Sequence, residues 1–427
     1  MTDSRHLIHC SHMSIAPILA DRNNRQLTPA RGNRTVTRLS VRRFARVLLA
    51  TGPGLATSAS KSSSQAIPAD WRLVREATVG RDADEQHSFT KILAMLPTER
   101  GSLIVADMRQ TSIRVFDEDG AFLRSVGRRG AGPGEFQRLQ QVGMLGDTIW
   151  VSDGELRRTT LFRFDGSVVS SQAWEFKDPV VAAAGRGGNF IHGVFADGSA
   201  CGENDGHLAT VMRGGTEVSK AVVRMSRTGR TRDTMATIPT PHSMFSVLFD
   251  GGMHFGQQKF PDAPLVVGAP SVSRLYLVHR AAATSASRDN IRIVAIRANG
   301  DTLWSRNLAY TPRKLEKAQA DSFIGAMQRS IQRSGASAEA IRRQLFVPEF
   351  RPPVSGAFAA EDGTLWLRRE EGRTTVEYWA IAPDGSPTGR VTVPMAVTLR
   401  AARGTQVWAE EKDVDDVPVV VRFRMMK

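Results

Sequence analysis

Two aspartates close successive segments of similar pattern: Asp107 follows Leu103-Ile104-Val105-Ala106, and Asp153 follows residues 148–152. Carboxylates repeated after short apolar strands could line the mouth of a central channel and bind a cation. A calcium ion asks for six or more oxygen ligands, which two aspartates do not supply. The ordinary role of an Asp at a strand end is to cap the next turn through its carboxylate. Between the two runs Gly127-Arg128-Arg129-Gly130-Ala131-Gly132-Pro133-Gly134-Glu135-Phe136. Its glycines do not lead from a strand straight into a helix, and no Lys-Ser/Thr ends it, so it fails the context of a phosphate-binding loop. It reads as a crossover that leaves Arg128 and Arg129 exposed, where an acidic ligand could meet them.

The histidines offer little more. His6, His9 and His12 sit near the N-terminus; His87, His192, His207, His242, His254 and His279 are scattered, with no pair at metal-ligand spacing. His192 lies within a strand and is the one expected to approach the channel. There is no G-x-S-x-G elbow to anchor a hydrolase triad. Cys10 and Cys201 have no partner at metal or disulfide spacing, and Cys201 reads as a small packed side chain. The strongest charge run is Arg313, Lys314, Lys317, Arg329, Arg333, Arg342 and Arg343 against Glu316, Asp321 and Glu339. Within it Arg329 and Arg333 are candidates to draw in an anion, although a solvated helix face accounts for the same residues.

These side chains need elements to position them, and the elements repeat. Turn dipeptides at Asp119-Gly120, Asp165-Gly166, Thr228-Gly229, Asn299-Gly300 and Asp384-Gly385 favour two-residue hairpins. Each follows a strand (113–117, 160–164, 221–226, 291–297, 375–382), itself preceded by another (103–106, 148–152, 189–195, 274–278, 364–368). A final unit has two strands, 405–409 and 418–424, but the chain stops before a further turn. An orphan strand at 71–79 is left over at the beginning. Pairing it with the last unit closes a ring of six units and protects its edges. The reading is therefore all-β: a six-bladed β-propeller closed by an N-terminal strand.

Successive turn glycines stand 46, 63, 71 and 85 residues apart, so the later units carry insertions. The most regular is 311–346. Thr311 and Pro312 open it, Ala320, Phe323, Ile324, Met327 and Ile331 keep helical spacing, Gly335 breaks it, and Ser337 caps a second short helix. A helical hairpin over one face of the ring is expected.

The domain reading is a basic leader, 1–66, and a propeller, 67–427. The chain of 427 residues carries a formal +14, which invites thoughts of nucleic acid. Residues 1–66 hold ten Lys and Arg against two acids, more than half of that excess. The folded part is only mildly basic, and its charge is not interleaved with aromatics as single-strand binders require. No nucleic-acid partner is expected. Ser40-Val41-Arg42-Arg43-Phe44-Ala45-Arg46, then the apolar run 47–56 and small residues at 57–59 or 64–66, reads as an export signal. An extracytoplasmic, periplasmic or secreted place follows as an expectation. No run is long enough for a membrane span.

Residues 103–107, 113–117 and 120–123, the stretch 127–136, and Asp362-Gly363-Thr364-Leu365-Trp366-Leu367 after a helical insertion resemble the NHL-like six-bladed propellers of bacteria. The resemblance implies the fold and export, and transfers no catalytic residue. The function expected is a non-enzymatic, monomeric propeller that binds a protein, peptide or glycan partner, acidic in character, through loops on one face, without a cofactor. The alternative is a metal-dependent lyase or lactonase-like enzyme with its site, and a calcium ion, in the central channel.

Overall fold

The computed structural model describes residues 69–79, 88–173, 190–203, 219–226, 231–239, 244–249, 252–281, 290–332, 337–370, 372 and 374–426. Six antiparallel sheets of four strands each are arranged as blades. Their innermost strands are Ile92–Pro97, Leu139–Leu145, Phe190–Val194, Leu265–Ala269, Gly356–Ala359 and Thr398–Arg403. Each of these touches the next, and the last touches the first. The protein is a six-bladed β-propeller.

The second strands of blades one, two, four and five are mostly buried on both faces because neighbouring blades cover both. In blade one the strand Leu103–Asp107 is buried throughout. Ile104 and Ala106 join Ile113 and Val115 against Phe136, Val142, Ile149 and Phe162 of blade two. Leu103 and Val105 face the other way, against Trp408 and Val420 of blade six. Blades three and four approach so closely that a Cβ on Gly268 would stand 2.0 Å from the His192 carbonyl oxygen, so only glycine fits there.

Closure follows the sequence expectation. Strand Arg72–Val79 pairs antiparallel with Pro418–Met426 and completes blade six. Just before it, Ala69–Asp70 adds in parallel to Pro387–Pro394 of blade five. The N-terminal segment thus spans the seam between two blades.

Three details depart from the sequence reading. The strand 189–195 is not the neighbour of 221–226: Phe190–Val194 is innermost, and Ala200–Glu203 lies between it and Ser219–Met225. The turn that separates them is Asp197-Gly198, where Gly198 has φ 75° and Phe195 N donates to Ser199 O at 2.7 Å. The helical insertion does not begin at Thr311. Residues before it form an extended stem, in which Leu315 N donates to Glu349 O and Arg351 N to Arg313 O, both at 2.9 Å. Helix α1 then runs Lys317–Gln332 and helix α2 runs Ala338–Gln344, capped by Ser337 as expected. The third departure is a second insertion, the hairpin Met244–Phe249 with Gly252–Gln257, between blades three and four. Its Phe245 and Val247 pack with Phe323 and Met327 of α1 and Ile341 of α2. The leader 1–66, the turn Thr228-Gly229 and Gly335 lie outside the described residues.

Candidate functional site

Both insertions leave the ring on the side where each outer strand crosses to the next inner strand. Together they roof a cavity of about 810 Å³ over blades three, four and five. The roof is tied down by polar bonds. Gln258, buried at the hairpin's exit, donates through Nε2 to Gln344 O at 2.7 Å and accepts from Phe346 N at 2.9 Å. Arg351 donates to Gln319 of α1. His192 and Arg368 line both this cavity and the central channel of about 650 Å³ that runs between the inner strands, so the two spaces adjoin.

The cavity wall is basic and partly apolar. From blade three come His192, Glu203 and Lys220; His192 Nε2 donates to Glu203 Oε1 at 3.1 Å and Lys220 Nζ stands 2.6 Å from the same oxygen. Burial alone would raise the Glu203 carboxyl, but the hydrogen bond from His192 and the nearby charges bring it down to about 2. From blade five, Glu370 is shared by Arg351 at 3.1 Å and Arg368 at 2.9 Å. Lys259, Phe260 and Arg280 line the wall near blade four, where Phe260 meets Phe323 of α1 and Met327 lies in the same cluster. Glu203 and Glu370 bring two negative charges to Lys220, Arg351 and Arg368, and Lys259 and Arg280 add to the positive surplus with no carboxylate at ion-pair distance among the described residues.

A lowered carboxyl stabilises the fold above its ordinary value and loses that contribution as pH falls through 4.5 towards 2. Glu203→Gln is expected to cost up to about 3 kcal/mol near neutral pH, at about 1.4 kcal/mol per unit. The gap to the native chain should close between pH 4.5 and 2, which urea unfolding across that range measures.

Of the candidate site residues named from sequence, His192 alone among the described ones lines this cavity. Asp107 is fully buried and accepts four backbone N–H bonds, from Thr90 (2.6 Å), Lys91 (3.0 Å), Arg109 (2.9 Å) and Gln110 (2.9 Å). Asp153 does the same with Gln137 (2.7 Å), Arg138 (3.3 Å), Glu155 (2.8 Å) and Leu156 (2.9 Å). Both carboxylates cap the turn and staple it to the chain that leads into the inner strand. The segment 127–136 is the crossover from blade one to blade two. Its Phe136 is buried edge-on against Phe162, with ring centroids 5.4 Å apart. Arg128 holds Glu135 at 2.7 Å, Glu135 in turn accepts from Gly132 N, and Arg129 is exposed. Arg329 lies exposed near the end of α1, away from the cavity wall, and Arg333 lies outside the described residues. Cys201 is fully buried, its thiol pushed up to about 12 by burial. No three His, Cys, Asp or Glu gather as metal ligands among the described residues. No helix among them is long and apolar enough to cross a membrane.

Sequence reasoning missed Glu203, Lys220, Lys259 and Arg280. A usable signal existed for the last. Setting the blade repeats side by side shows a carboxylate closing the second strand in blades one and two, and His279-Arg280 at that corner in blade four.

Comparison with known proteins agrees on the class. Residues 87–181 match the DUF5128 family, described as a 6-bladed beta-propeller. No curated protein matches the sequence. Among solved structures, similar ones include a Bacteroides fragilis protein presumed to be exported, at 9% identity and TM-score 0.47, over 84% of this chain and 97% of that one. Another is a member of the DUF4221 family from Bacteroides vulgatus, at 12% identity and TM-score 0.46, over 84% and 99%. A third is the PQQ-bound aldose sugar dehydrogenase of Streptomyces coelicolor, at 12% and 0.39, over 84% and 100%. Likeness at this level says nothing about ligand or chemistry.

Proposed function

We propose that this chain is a non-enzymatic, extracytoplasmic propeller that holds an anionic part of a protein, peptide or glycan partner in the cavity beneath its two insertions. One observation carries the reading: a roofed cavity of about 810 Å³ with Lys259 and Arg280 on its wall in excess of the carboxylates Glu203 and Glu370. A wall of that sign concentrates anions, and low-dielectric surroundings strengthen the attraction. The Arg-rich stretch and apolar run at residues 40–56 support the compartment.

The test presents the full chain with acidic, neutral and basic peptides and with uronic-acid and neutral oligosaccharides. Anionic members should be retained, less so as salt rises. Lys259→Glu, at an exposed position, should reduce that retention severalfold. The basic leader is common to both proteins, so the difference belongs to the cavity. Retention of neutral or basic members only, or indifference to the charge reversal, would overturn the proposal.

A further inference from the structure

If the cavity takes an anion, as proposed above, the next question is which anion and which side chain holds it. In blades one and two the corner between the second strand and the chain leading into the first is closed by Asp107 and Asp153. In blade four a guanidinium stands at that corner. Arg280 Nε donates to the Ala263 carbonyl oxygen at 2.7 Å. Its two terminal amino groups have neither a hydrogen bond nor an ion pair among the described residues, and Arg280 lines the cavity. Burial lowers its pKa to about 10, an effect the charge of Asp262 partly counters. The cation is thus partly buried, with the Asp262 charge nearby but no hydrogen-bonded carboxylate among the described residues, an arrangement that a bound anion would relieve.

The neighbours narrow the chemistry. Arg351 and Arg368 are held by Glu370, and Lys220 by Glu203. Arg280 and the exposed Lys259 have no carboxylate at ion-pair distance among the described residues, and the apolar surface beside them, rather than the charge count, favours a carboxylate over phosphate. Next to Lys259 the ring of Phe260 meets that of Phe323 edge-on at 5.7 Å, and Met327 lies beside them in the same cluster. The geometry points to Arg280 as the anchor of an organic carboxylate on an apolar carrier, the carrier lying against Phe260, Phe323 and Met327. A planar guanidinium offers two parallel N–H groups to the two oxygens of such a carboxylate. The C-terminal residue of a peptide and a free apolar acid share this chemistry.

Calorimetric titration of the full chain decides it, with acetyl-Ala-Ala-Phe as the free acid, its C-terminal amide, 3-phenylpropionate and inorganic phosphate. The free acid should bind at least about tenfold more tightly than the amide, the worth of one charge-assisted pair. Phosphate should not displace it. Arg280→Gln should erase the preference for acid over amide. Phe260→Ala should weaken acid and amide alike and leave their ratio unchanged. Binding of 3-phenylpropionate as strong as that of the peptide makes the small acid sufficient; much weaker binding assigns the site to peptide ends; either supports the anchor. A preference that survives Arg280→Gln, or displacement by phosphate, overturns it. Should Arg280→Gln fail to fold, an equal affinity of native chain for acid and amide would still overturn it. If anionic peptides are retained in the panel above while Arg280→Gln binds as the native chain does, only this assignment falls. If nothing anionic is retained, the binding function itself has failed.

Discussion

Deleting residues 1–79 will leave a chain that does not unfold cooperatively. The strand Arg72–Val79 is the outer strand of blade six, and its partner Pro418–Met426 would lie bare along its whole length without it. Val79 is buried with Phe116 of blade one and Val420 of blade six, so the loss also opens the contact between first and last blades. Just before the strand, Trp71 lies on Gly389, where a Cβ would meet the ring at 2.0 Å, and against Trp366 at 6.1 Å between centroids. Its backbone N–H donates to Arg390 O at 2.8 Å. A milder version, Trp71→Ala, should cost about 2 kcal/mol, below the range for a fully buried aromatic because Trp71 is half-buried. Circular dichroism during urea unfolding distinguishes the two: a sloping trace for the deletion, a shifted but steep one for the point variant. A deletion that unfolds as steeply as the full chain would show that the ring does not depend on this strand.

Asp107→Ala should be the most damaging single substitution outside the apolar core, at about 4 kcal/mol or more. The carboxylate is the acceptor for four backbone donors, and a buried N–H left without a partner costs about 1–3 kcal/mol. Asp107→Asn keeps one oxygen and should lose roughly half as much, with Asp153→Ala behaving like Asp107→Ala. Asp119→Ala, on an exposed turn of the same blade, serves as the control and should stay within about 0.5 kcal/mol. Chemical denaturation of the four variants measures this. A small loss at Asp107 would mean that the turn finds other acceptors.

Much of the architecture is written in local chemistry. The glycines Gly120, Gly166, Gly300 and Gly385 all adopt the positive φ that suits glycine and each joins two strands, through three-residue turns such as the one in which Asp117 N donates to Ala121 O, not the two-residue hairpins expected. The orphan strand near residue 71 betrayed closure because an unpaired edge at each end of a repeat array has one economical solution. Blade three was harder. Its Asp197-Gly198 turn separates strands of only five and four residues, too short to show period-two alternation. The cavity was hardly legible. Arg280 stands out only when the blade repeats are set side by side, and Lys220 and Glu370 look like ordinary surface residues in sequence; they share a wall only after three blades stand side by side and two insertions fold over them. Asp107 and Asp153 are the turn caps that an Asp at a strand end ordinarily is, although in sequence such an Asp reads the same in a channel-lining role.

The seam between Arg72–Val79 and Pro418–Met426 also sets an order of events. The first strand to be synthesised finds its partner in the last. Until Pro418–Met426 is in place, the outer strand of blade six has no partner and every other blade waits in an unclosed arc. Closing the ring therefore rests on a pairing of long sequence separation, the kind of contact whose chain-entropy cost slows folding.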